Sequence, residues 1–504
     1  MKSLKSLLFV VFAASFVGLN AQIAFVAIER SRVIILADMG NEPDEVQQML
    51  HMLMCSNTFD LEGLIAVSSP FRGLNHPNPE YKTLKPELYH DLINAYEKVL
   101  PNLKNHAKGW HEPEYLRSIV AVGQQDNRPS GVGEGKSTLG SNLIIQALNK
   151  DDERPIHIIC NGGAGTIAQA LLDYRNTHSV EELQLAIKKL YVFENAGQSA
   201  LGAWTCREFP NIHWIRSIYQ TKAYGGPWST DLGPHHWKPF AYSAKGQDNW
   251  ANENVRTGHG PLGELYPIRA YVNENAYFTE ELPNFIEGGG TIPWLRFVST
   301  GLTDPTQRTW GGWSGRYTGE KINNIPARFD FVAKGEKQFK PWAMYTDAQD
   351  KWTDPETGKV YADKNTPIFR WRQAMWNDFK ARMDWCIKPY NQANHYPIAA
   401  INGDRSDAIL FLSVAVGKTL TFDASESSDP DNDSLDFNWF IYPEAGNNPF
   451  LQTIPLKNPG NKEISLKIPE NAKGKEIHLI LEVWDNSAIV PLVDYRRIII
   501  NVTT

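Results

Sequence analysis

The pattern that most restricts what this chain can fold into is a recurring triplet: a continuous apolar run, a glycine-bearing turn, then a segment with helical period. Between Arg32 and Ser69 the run RVIILAD leads to Val46, Met49, Leu50, Leu53 and Met54, spaced i, i+3, i+4, i+7 and i+8, and then to a second run, LEGLIAVSS. That spacing places the five side chains on one face of a 3.6-residue helix. Between Arg154 and Tyr174 the run RPIHIIC meets NGGAG and a helix carrying Ile167, Ala170, Leu171 and Tyr174 on one side. KLYVFE (Lys189 to Glu194) and NIHWIRS (Asn211 to Ser217) read as further short strands. Runs without polar alternation are buried on both faces, and strands alternating with helices predict an α/β fold with a doubly wound, mostly parallel sheet.

A chain of 504 residues exceeds what one core fills, so more than one domain is expected. From about residue 320 the character changes. Ile368, Trp371, Met375, Phe379 and Met383 predict a helix that closes the α/β domain. Beyond NQANHYPIAAINGD the period becomes two: Leu435, Phe437, Trp439 and Ile441 alternate with polar residues, as do Ile477, Leu479, Leu481 and Val483. Strands of this kind with turn chemistry at SSDPDNDS predict a C-terminal β-sandwich. The expected boundaries are a leader at 1–22, the α/β domain with its closing helical segment at 31–390, and the sandwich at 395–504.

Lys2 and Lys5 precede an apolar run that ends near Ala21, the layout of a secretory signal peptide. The run is shorter than the ~20 residues a spanning helix needs, which favours cleavage over anchoring. The mature protein is therefore expected to be secreted, in the periplasm or at the cell surface. A net charge of −7 with no long Lys/Arg run argues against nucleic acid as a partner. The four cysteines, Cys55, Cys160, Cys206 and Cys386, include no C-x-x-C pair and read as buried thiols more readily than as a zinc site or a disulfide framework.

The chemistry concentrates at the exit of the first strand, where Asp38, Glu42, Asp44 and Glu45 fall within eight residues. Gly40 permits a tight turn, and Pro43 suits the first helical position, placing Asp44 and Glu45 in a first turn whose dipole favours negative charge. No Lys or Arg lies between Arg32 and Arg72. Four clustered carboxylates repel one another unless a cation offsets them. Calcium, which accepts roughly six to eight oxygens in irregular geometry, suits such a set. An ion there could hold a water whose proton a spare carboxylate removes.

ILADMGNEPDEVQQMLHML resembles the opening motif of the inosine-uridine nucleoside hydrolase superfamily, and more closely that of a secreted offshoot described as nucleoside-hydrolase-like and sometimes as cellulose-binding. The resemblance spans roughly residues 31–320, and a C-terminal sandwich accompanies it in the offshoot. It implies calcium held by Asp38, Asp44 and Glu45 with the Thr166 carbonyl, Asp38 and Asp44 as the catalytic carboxylates, and Asn41, Glu208, Asn211 and Glu287 near the sugar. Thr166 is matched through NGGAGTIAQAL, Glu208 and Asn211 through REFPNIHWIRS. The chain departs from the offshoot at NFIEGGGTIPWL, where Gly289 replaces an aspartate and leaves Glu287 as the nearby carboxylate.

TWGGWSGRY sets Trp310, Trp313 and Tyr317 among glycines, an arrangement that either offers flat faces to a sugar or fills a core. His235 and His236 lie in a proline-rich loop, where one could protonate a leaving group. DASESSDPDNDSLDFNW resembles the turns of PKD-like and cadherin-like modules, whose aspartates either bind an ion or form Asx turns. The expected function is hydrolysis of a glycosidic or N-glycosidic bond by a calcium-held water, on a glycan more than on a nucleoside because an accessory module is appended. The alternative is a non-catalytic carbohydrate-binding protein on the same fold. A periplasmic nucleoside scavenger would need a nucleobase pocket, which the sequence does not display.

Overall fold

The structure, a computed structural model, describes residues 22–40, 43–199, 201–224, 250–267, 289–325 and 341–503. The chain divides into two compact units, one made of Arg30–Val298 with Gly312–Ala393, the other of the N-terminal residues to Glu29, Ser299–Gly311 and Asn394–Thr504.

The first unit is built on an eight-stranded sheet. Its order is Val120–Val122, Asp60–Ala66, Arg32–Ala37, Ile156–Cys160, Leu190–Asn195, His213–Ser217, Ala343–Thr346 and Ile322–Asn323. All neighbours are parallel except the last pair. The predicted strands are therefore the sheet's centre. Ile34, Leu36, Ile158 and Val192 on one face pack against Ile144, Ile167, Leu171 and Ile187 from three helices, Leu139–Leu148, Ala164–Thr177 and Val180–Lys189. Val33 and Ile35 on the other face are equally buried. Each such side chain contributes roughly 1.5–3 kcal/mol on burial, and the charged residues inside the strands, such as Glu194 and Arg216, are buried as an ion pair.

The helix Pro43–Cys55 is buried almost all round, including Gln47, Gln48 and His51, where the sequence spacing predicts a single apolar face. The reason is tertiary: the helix Arg372–Asp384 covers it, stacking Phe379 on the His51 ring at 3.7 Å and donating from Arg382 Nη1 to the Met54 carbonyl at 2.9 Å. The closing segment, expected as one helix, is a hairpin of Asp350–Thr353 with Val360–Asp363 followed by two helices, Thr366–Phe369 and Arg372–Asp384. Asp363 Oδ1 accepts from the backbone N–H of Asn365 at 2.8 Å and of Thr366 at 3.0 Å, and Pro367 follows as the second residue of the first helix.

The second unit has a five-stranded sheet, ordered Gln22–Val26, Ile409–Ala415, Val493–Thr503, Glu476–Asp485 and Leu435–Ile441, and a two-stranded one, Thr419–Asp423 with Glu463–Lys467. Pairing is antiparallel except between Ile409–Ala415 and Val493–Thr503. Leu420, Phe422 and Ile464 from one sheet share a core with Trp439, Leu479 and Leu481 from the other. Two segments outside the expected 395–504 boundary belong here. Gln22, which the leader expectation includes, pairs with Ser413. Ser299–Gly311 is held by Arg497, fully buried, which donates to the carbonyls of Leu302 (2.6 Å), Trp310 (3.1 Å) and Gly311 (2.8 Å). The DPDND turn is reversed by Asp429 Oδ1, which accepts from Asp431 N–H at 2.8 Å and Asp433 N–H at 3.0 Å, an Asx arrangement.

All four cysteines are free and buried. Residues 1–21 lie outside the described residues, among which no helix is long and apolar enough to cross a membrane.

Candidate functional site

In parallel sheets polar residues gather where strands end, and ligands bind where neighbouring strands send their chains in opposite directions. Here that point lies between Arg32–Ala37, from which the chain moves outward to Asp60–Ala66 and Val120–Val122, and Ile156–Cys160, which starts the other wing. Asp38 follows the first of these strands and Asn161 the second, with the Asn161 N–H donating to the Leu36 carbonyl at 2.9 Å. Gly162 keeps the approach open: a Cβ there would sit 3.4 Å from Asp38 Oδ1 and from the Ser69 Cβ. Gly163 enters the following helix at φ 70°, a left-handed conformation that favours glycine.

Asp38 is 1% exposed. Burial lifts its carboxyl from 3.8 to about 6, with Asp44 adding repulsion, against a hydrogen bond from Ser69 and the charge of Arg72. Asp44 Oδ2 accepts from Gln48 Nε2 at 2.7 Å, and Gln48 Oε1 accepts from Asn161 Nδ2 at 3.1 Å, so a relay of amides ties the helix Pro43–Cys55 to the strand end. Glu45 is buried beside them. Asp38 Oδ2 and Asn161 Oδ1 are both buried and accept no hydrogen bond among the described residues. Both are oxygens that can only accept. Oxygen atoms left in this state suit a hard cation such as calcium, although among the described residues Asp38, Asp44 and Glu45 do not form a group whose ligand atoms all lie within 4.8 Å of one another.

Arg72 modifies the expectation that the acidic cluster lacks a local positive charge. It is buried, donates to the carbonyls of Gly40 and, at 2.7 Å, Thr83, and its charge acts on Asp38 and Glu45. Part of the carboxylate repulsion is thus offset by the protein itself.

The remaining sequence-based assignments fare differently. Thr166 is buried in the first turn of the helix Ala164–Thr177, and its Oγ1 accepts from Gln124 N–H at 3.0 Å. Glu208 ends the helix Gly202–Glu208 beside Arg175 (3.8 Å), and Asn211 precedes the strand His213–Ser217. Both therefore sit at the amino-terminal edge of the sheet, about 15 Å from the edge that carries Asp38 at roughly 3.3 Å per strand residue. Trp310 and Trp313 are 6% and 2% exposed. Trp310 packs on Ile409 and Ile499 in the second unit, beneath the Arg497 guanidinium at 5.6 Å, so neither tryptophan offers a face to solvent. Asn41, Glu42, Glu287, His235 and His236 lie outside the described residues.

Gly289, in the aspartate's place, adjoins Gly290, whose backbone lies so close to Gln48 and Asn161 that a Cβ would collide with the Gln48 Oε1 and Asn161 Nδ2 atoms. Among the described residues, this segment reaches the site with the Gly290 main chain. Gly290→Ala is expected to break the Gln48–Asn161 bond and to lower stability by about 1–3 kcal/mol, read as a reduced midpoint in thermal unfolding. Ser69, Arg72, Gln48 and Asn161 escaped the sequence reading. The signal for Asn161 and Ser69 was present, since each is among the first polar residues after an apolar strand.

A family model described as "Cellulose-binding Sde182, nucleoside hydrolase-like domain" matches residues 32–317, and one described as "Cellulose-binding protein Sde0182, C-terminal domain" matches residues 419–502. A solved structure, described as a nucleoside hydrolase-related hypothetical protein from Saccharophagus degradans that is associated with carbohydrate metabolism, is 35% identical with a TM-score of 0.75. The match covers 94% of this chain and 100% of that one. No curated protein matches. A nucleoside-hydrolase-like fold followed by the family's own C-terminal domain, with 35% identity along nearly the whole length, means that the chain belongs to the cellulose-binding Sde182 nucleoside hydrolase-like family.

Proposed function

We propose that this protein binds carbohydrate at the carboxyl ends of the central strands, through a cation held by Asp38, Asp44 and the Asn161 side chain. The carrying observation is the pair of buried oxygens, Asp38 Oδ2 and Asn161 Oδ1, that have no hydrogen-bond partner among the described residues, at the sheet's switch point. When bound, calcium supplies positive charge at which vicinal hydroxyls of a sugar are held. Gln48 bonds both the Asp44 carboxylate and the Asn161 amide, Arg72 limits the repulsion among the acids, and the Gly290 main chain borders the site. The family's cellulose-binding description and the carbohydrate association of the Saccharophagus protein support glycan over nucleoside.

A second reading, hydrolysis of a glycosidic bond, is favoured by the Asp38 carboxyl at about 6, near where a general base works best. The test uses the full chain with cellulose, soluble glycans, aryl glycosides and nucleosides, in calcium or in chelator, comparing wild type with Asp38→Asn. Calcium-dependent retention that the substitution removes, without bond cleavage, is the expected result. Sugar release lost in Asp38→Asn would move the conclusion to the hydrolase. Retention indifferent to both chelator and substitution would end the proposal.

A further inference from the structure

Beneath the helix Pro43–Cys55, a second group of polar side chains is sealed from solvent. His51 and Cys55 stand one helical turn apart on that helix, and Asp378 faces them from Arg372–Asp384. One ligand atom from each of the three lies within 4.8 Å of the others. Cys55 Sγ is 3.7 Å from Asp378 Oδ2. Two ligands of a tetrahedral zinc ion, at about 2.3 Å for sulfur and about 2.0 Å for oxygen, are separated by about 3.5 Å.

We propose that His51, Cys55 and Asp378 bind a borderline-soft divalent metal, zinc above all, with the Tyr224 hydroxyl or a water completing the tetrahedron. Two buried polar atoms support this independently: His51 Nε2 and Tyr224 Oη have no hydrogen-bond partner among the described residues. The Tyr224 hydroxyl is close enough to Cys55 and Asp378 for their charges to act on it. Arg382 Nε donates to Asp378 Oδ1 at 2.7 Å, which orients the carboxylate and leaves Oδ2 toward Cys55, the arrangement by which an outer partner aligns a ligand. Burial holds the Cys55 thiol well above its ordinary range and His51 well below its own. A neutral imidazole is what a metal requires, and binding releases the thiol proton to solvent. Thiolate and imidazole select zinc over calcium, so this site is chemically distinct from the all-oxygen set around Asp38. It would lock two helices together below the carbohydrate site.

The test is production of the full chain in cobalt-supplemented medium, so that the ion enters as the protein folds, followed by metal analysis and absorption spectroscopy. One equivalent of cobalt with a thiolate-to-cobalt charge-transfer band is expected, displaced by zinc and not by calcium. The band should vanish in Cys55→Ala and persist in Cys386→Ala and Asp38→Asn. Folded wild type without the band overturns the proposal and needs no substitution to do so; a band that survives Cys55→Ala overturns it as well.

Discussion

Glu194→Ala is expected to destabilise the α/β unit by about 3–5 kcal/mol, among the largest losses available to a single side chain here. Glu194 and Arg216 are fully buried on adjacent parallel strands, joined by Arg216 Nε to Glu194 Oε2 at 2.7 Å. The same oxygen accepts from Trp214 Nε1 at 2.9 Å, and Arg216 Nη1 donates to the Ile325 carbonyl at 3.1 Å. Two charges removed from water recover much of their desolvation cost through each other. Deleting Glu194 takes from the buried guanidinium the carboxylate that lies 2.7 Å from it. Urea unfolding followed by tryptophan fluorescence measures the loss; a change below about 1 kcal/mol would contradict the account. Replacing both partners with apolar residues of similar volume is expected to regain most of the stability, which separates the cost of a lone charge from the worth of the pair.

Asp38→Asn should act in the opposite direction on stability. In chelator-treated protein the Asp38 carboxyl is raised from 3.8 to about 6. Between these two values the folded state binds more protons than the unfolded chain, so stability falls as pH rises across that window, and the contribution present below the lower value is gone above the upper one. A difference of that size corresponds to about 3 kcal/mol. Asparagine carries no charge, so the variant should lose this slope and, at about pH 7.5, be more stable than chelated wild type by on the order of 2–3 kcal/mol. Added calcium should restore wild type by mass action and leave the variant unchanged. Thermal unfolding of both proteins at about pH 4 and about pH 7.5, with and without calcium, reads the effect. A wild type whose midpoint does not fall with pH in chelator would show that Arg72 and Ser69 already neutralise the carboxylate. The prediction places the site among those where a protein gives up stability to keep a function.

How far the sequence carries the site is visible at its individual residues. Asp38 was legible because a strand's apolar run has to end, and the first polar residue after it is set by local periodicity alone. Asn161 and Ser69 obey the same rule, yet nothing local says that their strands flank the one that carries Asp38. The match of REFPNIHWIRS to a ribose-holding motif shows the opposite failure. The letters agree, but Glu208 and Asn211 precede their strand and so occupy the far edge of the sheet. Trp310 and Trp313 stand in a segment where glycine-rich chain suits a surface platform as well as a core, and only packing shows that both are buried.

The sequence by itself determined the layers: buried strands, the helices between them, a period-two C-terminal region, and the acidic turn after the first strand, all properties of residues within about one helix or strand of each other. The tertiary structure decided strand order, and with it the meeting of Asp38 with Asn161, the closeness of Arg72, and the pairing of His51 and Cys55 with Asp378. It also decided that Gln22–Val26 joins Ile409–Ala415 across nearly the whole chain. Parallel pairing and long-range strand addition are fixed by which buried surfaces fit together once the chain collapses, and that choice is not written in any single segment.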